Sequence, residues 1–401
     1  MSDGELDEGP TWEGAMSAGH RKLGNLICID DVNRMQADGP STGVLNSKPL
    51  APKWEAFGWH VQRVDCNDIG ALVRAFDAAR AMIASLAAEG QRTGPAPFGH
   101  ALAALAQDRP EIVGMTADLS KDTDLHVFAQ QYRDRFYQMG MAEQLLMLAA
   151  SGMAHEVFIA FVTTYAAFAS RRTFDFISEG IAAEGLNVKI CCSLPGLTTG
   201  YGPSHQATED IAIFRGMPDL TIVDPRDALD IERATKAIAA HDGPVYMRLL
   251  RGKVPLVLDE YDYAFELSKA KLIREGADVL VISSGFMTMR ALEAASRLAA
   301  DSVNVAVLHA PTIKPLDAET ILRESGRTGR MVVVAENHSV IGGIGEAVAA
   351  LLMREGVRPP AFRQVALPDA FLDAGALPTL HDRYGISADA MAASIKQWLS
   401  R

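Results

Sequence analysis

Cysteine is scarce in this chain. Only four cysteines occur among 401 residues, at positions 28, 66, 191 and 192. This number is too small, and the spacing too irregular, for a disulfide framework or a cysteine-ligated zinc site, and both are therefore excluded. The stability and the chemistry of the protein must come from other residue types.

An excess of positive charge and long apolar runs are missing as well. Lys and Arg number 38 against 50 Asp and Glu, which gives a formal net charge of −12. We therefore expect no nucleic-acid partner, although a local pocket of arginines is compatible with this charge. No apolar run approaches the length of a membrane span, so we expect no membrane partner. The N-terminal residues are acidic, unlike a signal peptide, and we expect a cytoplasmic protein.

Apolar residues are plentiful within this acidic chain. Hydrophobic residues make up 48% and charged residues 22%, which supplies several cores and excludes global disorder. A Gly/Pro-rich stretch at 89–97 and a polar stretch at 258–271 divide the chain. We therefore predict three domains, over residues 1–92, 95–262 and 268–401.

Short apolar runs alternate with amphipathic stretches in all three regions. The runs that predict buried strands are 26–30, 188–191, 220–223, 279–282 and 331–335. Runs this short and apolar are typical of parallel strands that helices cover on both faces. The predicted fold class is α/β, with successive open, mostly parallel sheets flanked by helices. In such sheets the functional residues lie in the loops that follow the strands.

Oxygen ligands lie near two predicted strand ends in the first region. Asp3 belongs to an Asp-Gly turn signal, and Asn33 follows the predicted strand at 26–30. The interval of 33 − 3 = 30 residues accommodates a strand, a helix and a second strand, so both side chains can reach one sheet edge. Carboxylate, amide and carbonyl oxygens suit Mg²⁺. From these residues alone, a simple turn and an ordinary loop residue remain the plainer interpretation.

This segment resembles the thiamine diphosphate motif of the transketolase family, which runs from Gly-Asp-Gly to a downstream Asn. The likeness is carried by Asp3-Gly4-Glu5, Trp12-Glu13 and Asn33. The resemblance implies thiamine diphosphate with Mg²⁺ or Ca²⁺ as cofactors. It implies that Asp3, Asn33 and the carbonyl of Met35 bind the metal and that Gly4 lies at the cofactor. Because the family carries a long segment before this motif, residues 1–92 are expected to form a partial diphosphate-binding domain.

A glutamate opens an apolar helix in the second region. Residues 137–144 read Tyr-Gln-Met-Gly-Met-Ala-Glu-Gln, and the residues after Glu143 are mostly Leu, Met and Ala. A carboxyl group there is shielded from water, although the helix dipole alone also explains a Glu at this position. The segment is similar to the transketolase segment that carries the catalytic glutamate. The resemblance implies that Glu143 hydrogen-bonds the aminopyrimidine ring and promotes its imino tautomer.

Two aromatic residues and a histidine follow further strand-like runs. Tyr165 and Phe168 are three residues apart, and such pairs are core packing more often than a cofactor shelf. The resemblance implies that Phe168, or otherwise Tyr165, stacks on the pyrimidine ring. The segment Gly-Pro-Ser-His-Gln at 202–206 matches the family's Gly-Pro-Thr-His-Gln. This match implies that His205 hydrogen-bonds oxygens of the donor substrate.

Four more residues are candidates for substrate binding. Arg248 and Arg251 follow a strand-like run, and arginine forks suit a sugar phosphate. The family has a phosphate-binding arginine in this region, which corresponds to one of these two. Surface or interdomain ion pairing explains either arginine nearly as well. Tyr201 and Asp122 stand where many transketolases have an Asp and a Ser that contact substrate. A carboxylate at 122 repels phosphate, which places the usual pentose phosphate donor in question.

A glycine-rich segment spans 336–346 in the third region. Its glycines do not fit the dinucleotide pattern G-x-G-x-x-G. It resembles the strand-to-helix turn of the transketolase C-terminal domain, and we interpret it as structural. The alternative is that His338 approaches the rim of the active site.

The resemblance as a whole implies transfer of a two-carbon ketol unit between sugars or sugar phosphates. Sites in this family form across a dimer interface, so a homodimer and a separately encoded N-terminal subunit are the expected partners. Three alternatives remain: an inert fragment or assembly subunit, a 1-deoxyxylulose 5-phosphate synthase-like enzyme, and the β chain of a 2-oxoacid dehydrogenase. The segments at 202–206 and 336–339 favour transketolase over both enzymatic alternatives.

Overall fold

The structure, a computed structural model, groups its elements into a small N-terminal unit, a seven-stranded sheet and a five-stranded sheet. It describes residues 6, 9–21, 26–33, 35–36, 39–40, 48–73, 75, 86, 91–261 and 263–400. No helix in that part of the chain is both long and apolar enough to cross a membrane.

Tryptophans hold the N-terminal unit together. Its elements are α1 (Gly9–His20), β1 (Met35–Gln36), β2 (Gly39–Pro40) and α2 (Leu50–Ala56), with β1 and β2 antiparallel. The ring centroid of Trp54 lies 5.5 Å from that of Trp12 and 4.9 Å from that of Trp59. Trp59 also donates a hydrogen bond of 2.9 Å to the carbonyl of Ala15. These rings therefore tie α1 to α2.

The predicted strand at 26–30 is wrong. These residues form no strand, and the exposed fractions of Leu26 and Ile29 are 49% and 57%. An apolar run becomes a buried strand only where neighbouring strands and helices pair with it and cover it. The apolar pattern by itself could not supply those neighbours.

The second region builds a parallel sheet covered by helices. Its strands are β4 (Ile112–Thr116), β5 (Phe136–Gln138), β6 (Ile159–Tyr165), β7 (Val188–Ser193), β8 (Thr221–Val223) and β9 (Val245–Leu249), in the order β8-β9-β7-β6-β4-β5. A separate antiparallel pair joins β3 (Thr93–Pro95) to β10 (Lys253–Pro255). The helices are α3 (Pro97–Asp108), α4 (His126–Gln131), α5 (Glu143–His155), α6 (Ala166–Arg172), α7 (Phe174–Ile177), α8 (Asp210–Arg215) and α9 (Ala228–Ala240).

The third region builds a five-stranded sheet. Its strands are β11 (Lys271–Arg274), β12 (Val279–Ser283), β13 (Val305–His309), β15 (Met331–Ser339) and β16 (Phe362–Leu367), in the order β11-β13-β12-β15-β16, with only β11 antiparallel. The helices are α10 (Met287–Ala299), α11 (Ala318–Ser325), α12 (Ile344–Arg354), α13 (Leu377–Arg383) and α14 (Ala388–Leu399). The strand β14 (Thr312–Lys314) belongs to the third region in sequence but not to this sheet. It pairs antiparallel with β8 and is the seventh strand of the other sheet.

The α/β class is confirmed, as are the predicted strands at 188–191, 220–223, 279–282 and 331–335. The strands β7, β8 and β12 are buried along their whole length. Helices on both faces remove their side chains from water, which is why their sequences are almost continuously apolar.

The glycine-rich segment 336–346, which runs from the end of β15 into α12, is structural, as predicted. The Glu336 carboxylate accepts hydrogen bonds from the amides of Ile344 (2.7 Å) and Gly345 (3.0 Å) at the start of α12. Adding a Cβ at Gly343 would bring it within 1.9 Å of Glu336 Oε2, so the close approach requires glycine. His338 is buried and its Nε2 accepts a hydrogen bond from the amide of Ala212. This segment therefore also contacts α8 of the second region.

Candidate active site

A buried carboxylate opens α5. Glu143 is the first residue of this helix, and its exposed fraction is 3%. The turn before it passes through Gly140, whose φ of +73° favours glycine. Burial of a carboxylate requires a compensating partner. Arg172 provides it, since its Nη1 donates to both carboxylate oxygens at 3.0 and 3.1 Å.

Two aromatic rings lie at the carboxyl end of β6, an interior strand of the seven-stranded sheet. Tyr165 is the last residue of β6 and Phe168 lies in the first turn of α6, with their ring centroids 5.5 Å apart. The Cζ of Arg172, at the end of α6, lies 4.0 Å from the centroid of Phe168, which is a cation–π contact. Arg172 thus connects the ring of Phe168 to the carboxylate of Glu143.

His205 lies among three aromatic rings. Its imidazole is 5.7 Å from Tyr165, 5.3 Å from Phe168 and 5.5 Å from Tyr201, measured between centroids and each in an edge-on orientation. Its Nδ1 is 2.9 Å from the hydroxyl of Ser204. Burial, and to a lesser extent the positive charge of Arg172, lower the pKa of His205. The imidazole is therefore neutral at pH 7 and can both donate and accept a hydrogen bond.

Arg171 holds the loop that carries His205. Its Nη1 donates to the carbonyl of Pro203 (2.8 Å) and its Nη2 to the carbonyl of Gln206 (2.9 Å), while its Nε pairs with Glu209. The loop is fixed from α6, the helix that also carries Phe168. Two consecutive arginines therefore have separate partners: Arg171 binds the loop, and Arg172 binds Glu143.

Asp122 and Arg251 form an ion pair beside these rings. Arg251 Nη1 lies 3.1 Å from Asp122 Oδ1. Burial, and to a lesser extent the negative charge of Asp122, raise the pKa of Tyr165 to about 12. The Asp122 carboxylate is thus partly neutralised by Arg251, which reduces the repulsion of phosphate that the sequence suggests. Next to the pair, burial raises the pKa of Asp124 to about 7.

Arg248 lies in the interior of the protein. It is 1% exposed, and its guanidinium donates to Asp210 at 2.9 and 3.1 Å, to Asp224 at 3.2 Å and to the carbonyl of Asn337 at 3.0 Å. These contacts connect β9 to α8 and to β15 of the other sheet. They favour a structural role for Arg248, so that of the two predicted arginines Arg251 is the one near the aromatic rings.

The predicted metal ligands are only partly covered by the structure. Asp3 and Gly4 lie outside the described residues. Asn33 is exposed, and Met35 lies in β1. Within the described ranges, no group of three or more His, Cys, Asp or Glu residues could hold a metal ion. The metal site therefore stays a prediction.

Apart from Arg248, the remaining predicted residues form one continuous set of contacts. Arg172 links Glu143 to Phe168. The ring of Phe168 neighbours His205 and Tyr165, and Tyr201 lies against His205. The ion pair of Asp122 and Arg251 lies next to Tyr165. Sequence reasoning missed Arg171 and Arg172. The signal that marks them is a pair of charges that ends an apolar helix three and four residues after Phe168.

Three family models match this chain in succession. They are the transketolase thiamine diphosphate binding domain over residues 1–86, the transketolase pyrimidine binding domain over 94–257, and the transketolase C-terminal domain over 268–391.

Individual relatives show the same likeness. A transketolase family protein of Sinorhizobium fredii, described as uncharacterised, is 69% identical over 80% of this chain and 92% of its own length. A 6-deoxy-6-sulfo-D-fructose transketolase subunit of Clostridium sp. is 40% identical over 71% of this chain and 87% of its own. A solved structure titled as a split gene transketolase, an inactive β4 tetramer, is 38% identical, with a TM-score of 0.68 over 76% of this chain and 97% of its own. The chain belongs to the transketolase family.

Proposed function

We propose that this chain carries the pyrimidine side of a thiamine diphosphate-dependent ketol-transfer site. The observation that carries the proposal is the arrangement of Glu143, Phe168 and Arg172. A planar cation stacks on the Phe168 ring while it donates to the buried Glu143 carboxylate. This pair of partners therefore accommodates a flat, hydrogen-bonding group, which is the fit that an aminopyrimidine requires.

The other parts of the cofactor site are proposed from the first region. Asp3, Asn33 and the carbonyl of Met35 would hold Mg²⁺ or Ca²⁺, with Gly4 beside the diphosphate, because hard cations prefer oxygen ligands. Residues 1–92 would then form a partial diphosphate-binding domain, residues 95–262 the pyrimidine-binding domain and residues 268–401 the C-terminal domain.

Each side chain of the site has a proposed task. Thiamine diphosphate, when bound, supplies a carbon nucleophile and an electron sink for carbonyl chemistry. Glu143 binds the aminopyrimidine and holds or releases a proton at its carboxyl oxygen. Phe168 orients the ring by stacking, with Tyr165 behind it. His205, whose Nδ1 contacts Ser204, presents Nε2 to the oxygens of the ketose donor.

The substrates are proposed to be sugars or sugar phosphates. Arg251 is the better candidate for an anionic end of the substrate, because Arg248 is enclosed by carboxylates. The relative from Clostridium is named for a sulfonated sugar, and a sulfonate, like a phosphate, suits an arginine fork. Tyr201, 43% exposed beside His205, and Asp122 would contact hydroxyl groups of the substrate.

The active assembly is proposed to contain more than one chain. The relatives described above include a protein named as a subunit and a structure titled as a split gene product. We therefore propose a homodimer of this chain that is completed by a separately encoded N-terminal subunit.

The test is ketol transfer by the full chain mixed with its complementing subunit, thiamine diphosphate and Mg²⁺. Glu143→Gln should lower kcat by about 100-fold or more, since proton transfer by a positioned carboxyl group contributes at least that much. Glu156→Gln, at an exposed position just after α5, is the matched control and should keep full activity. Equal activity of the two variants would refute the assigned role of Glu143.

Calorimetry separates the proposed enzyme from an inert fragment or assembly subunit. Thiamine diphosphate is titrated with Mg²⁺ into the chain alone and into the mixture. We expect binding in the mixture and its loss on treatment with EDTA. If heat of binding is absent in both samples, the chain is an inert or assembly subunit.

A further inference from the structure

Arg172 uses the same two partners that the proposed cofactor needs. Its guanidinium lies over the ring of Phe168, with Cζ 4.0 Å from the centroid, and its Nη1 donates to both oxygens of Glu143. Phe168 is the stacking partner and Glu143 the hydrogen-bonding partner assigned above. Arg172 therefore occupies the site itself, because it contacts the ring of Phe168 and the carboxylate of Glu143 at the same time.

The guanidinium also shares its chemistry with a protonated or amino-substituted ring. It is planar and delocalised, it stacks on aromatic faces, and it donates N–H groups in its own plane. A carboxylate and a phenyl ring that are placed to receive one of these groups will receive the other. The two cannot use one carboxylate and one ring face at the same time.

The position of Arg172 allows it to leave. It is the last residue of α6, and the exposed fraction of its side chain is 47%, whereas that of its partner Glu143 is 4%. An arginine that is half in water gives up little interaction energy when it moves outward, because ion pairs of half-exposed side chains contribute little to stability. Arg171, by contrast, is held by the His205 loop through two carbonyls and Glu209. Only Arg172 of the two is free of that structural task.

We propose that Arg172 is an internal competitor of the thiamine pyrimidine ring, which must displace the guanidinium from Glu143 and Phe168, so that this residue sets the affinity for the cofactor. This inference rests on the proposed function. It predicts that the competition acts on the pyrimidine end of the cofactor only, because the partners of Arg172 are those of the ring.

The experiment is a calorimetric titration of the full chain, alone and with its complementing subunit, in the presence of Mg²⁺. The probes are thiamine diphosphate and inorganic pyrophosphate. The Arg172→Ala variant should bind thiamine diphosphate about tenfold more tightly than the wild type, the combined effect of one cation–π contact and one ion pair. Its affinity for pyrophosphate should be unchanged, because that probe lacks the pyrimidine ring.

Two further variants serve as controls. Arg172→Gln keeps a hydrogen-bond donor without the charge and should gain less affinity for thiamine diphosphate than Arg172→Ala. Thermal melts check that the Arg172→Ala and Arg172→Gln variants are folded. Arg297→Ala is the matched control, because Arg297 has the same exposed fraction of 47% and pairs with Asp389, on α10 and α14 of the third region. It should bind both probes like the wild type.

The possible outcomes separate this inference from the function on which it rests. If the wild type binds thiamine diphosphate and Arg172→Ala binds it equally or more weakly, Arg172 is not a competitor and the proposed function stands. If Arg172→Ala changes the affinities for both probes equally, the effect is one of charge, and the inference is again refuted. If no variant binds thiamine diphosphate in any mixture, both proposals fail together.

Discussion

The side-chain amide of Gln206 donates a hydrogen bond of 3.1 Å to the main-chain carbonyl of Asp373. Gln206 follows His205 directly, whereas Asp373 belongs to the segment before α13 in the third region. A second contact runs from the amide of Gly375 to the carbonyl of Gly200 at 3.0 Å. The C-terminal region therefore supports the loop that presents His205.

Removal of the Gln206 amide should loosen that loop. Gln206 is 1% exposed, so Gln206→Leu leaves the carbonyl of Thr199 buried without its donor and removes the hydrogen bond to Asp373. We expect a loss of about 1–3 kcal/mol in the free energy of unfolding, measured by denaturant titration. Ketol transfer should fall as well, because His205 loses its fixed position. Gln397→Leu, at an exposed site on α14, is the control; similar losses in both variants would contradict the argument.

Arg248 should be among the residues most important for stability. Arg248→Met leaves the carboxylates of Asp210 and Asp224 buried without their cation, and loss of one partner of a buried pair costs about 3–5 kcal/mol. Chemical denaturation measures this loss. The exposed pair of Arg297 and Asp389 supplies the comparison, and Arg297→Met should cost at most about 1 kcal/mol. Should Arg248→Met unfold at the same denaturant concentration as the wild type, the buried network has no structural role.

Glu336 should make stability depend on pH. Burial raises its pKa from 4.5 to about 7 in the folded protein, against the lowering effect of hydrogen bonds from Gly345 and Ile344. The folded state therefore holds a proton that the unfolded chain releases near pH 4.5. This contribution is complete below pH 4.5 and is lost as the pH rises through 7, an upper limit of about 3 kcal/mol.

The measurement is the free energy of unfolding between pH 4.5 and 8 for the wild type and Glu336→Gln. The wild type should lose more stability across this interval than the variant. Glu355→Gln, exposed just after α12, should follow the wild type. Identical slopes for the wild type and Glu336→Gln would show that Glu336 releases its proton equally easily in both states.

An apolar face of α5 is expected to bind another chain. Leu145 and Leu148 lie on this face with exposed fractions of 52% and 48%, and Met141, just before the helix, is 83% exposed. Their spacing places them on one side of the helix, next to the Glu143 turn. Leu145→Glu should therefore shift the assembly towards monomer in sedimentation velocity. Met353→Glu, at a residue 70% exposed on α12, tests whether any added charge has this effect; if it dissociates the chains equally, the α5 face is not the interface.

The parts of the fold predicted correctly have local signals. Strands such as β7 and β12 are buried on both faces, so their apolar sequences identify them without knowledge of the neighbours. The same signal misled at 26–30, where the side chains are largely exposed. Burial depends on what covers a segment, and that is a property of the assembled chain.

For the candidate site, the sequence by itself determined the family and the residue types: a glutamate before an apolar helix, an aromatic pair and a histidine in a characteristic pentapeptide. The tertiary structure decided what these residues touch. It enclosed Arg248 among carboxylates, paired Arg251 with Asp122, and placed Arg172 between Glu143 and Phe168. Arg248, near the end of β9, and Arg251, just after it, are alike in sequence. Only the folded chain gives Arg248 buried partners and Arg251 a place beside the site. The ion pairs of Glu143 with Arg172, Asp210 with Arg248 and Asp122 with Arg251 join residues that are distant in the chain, and no local pattern encodes them.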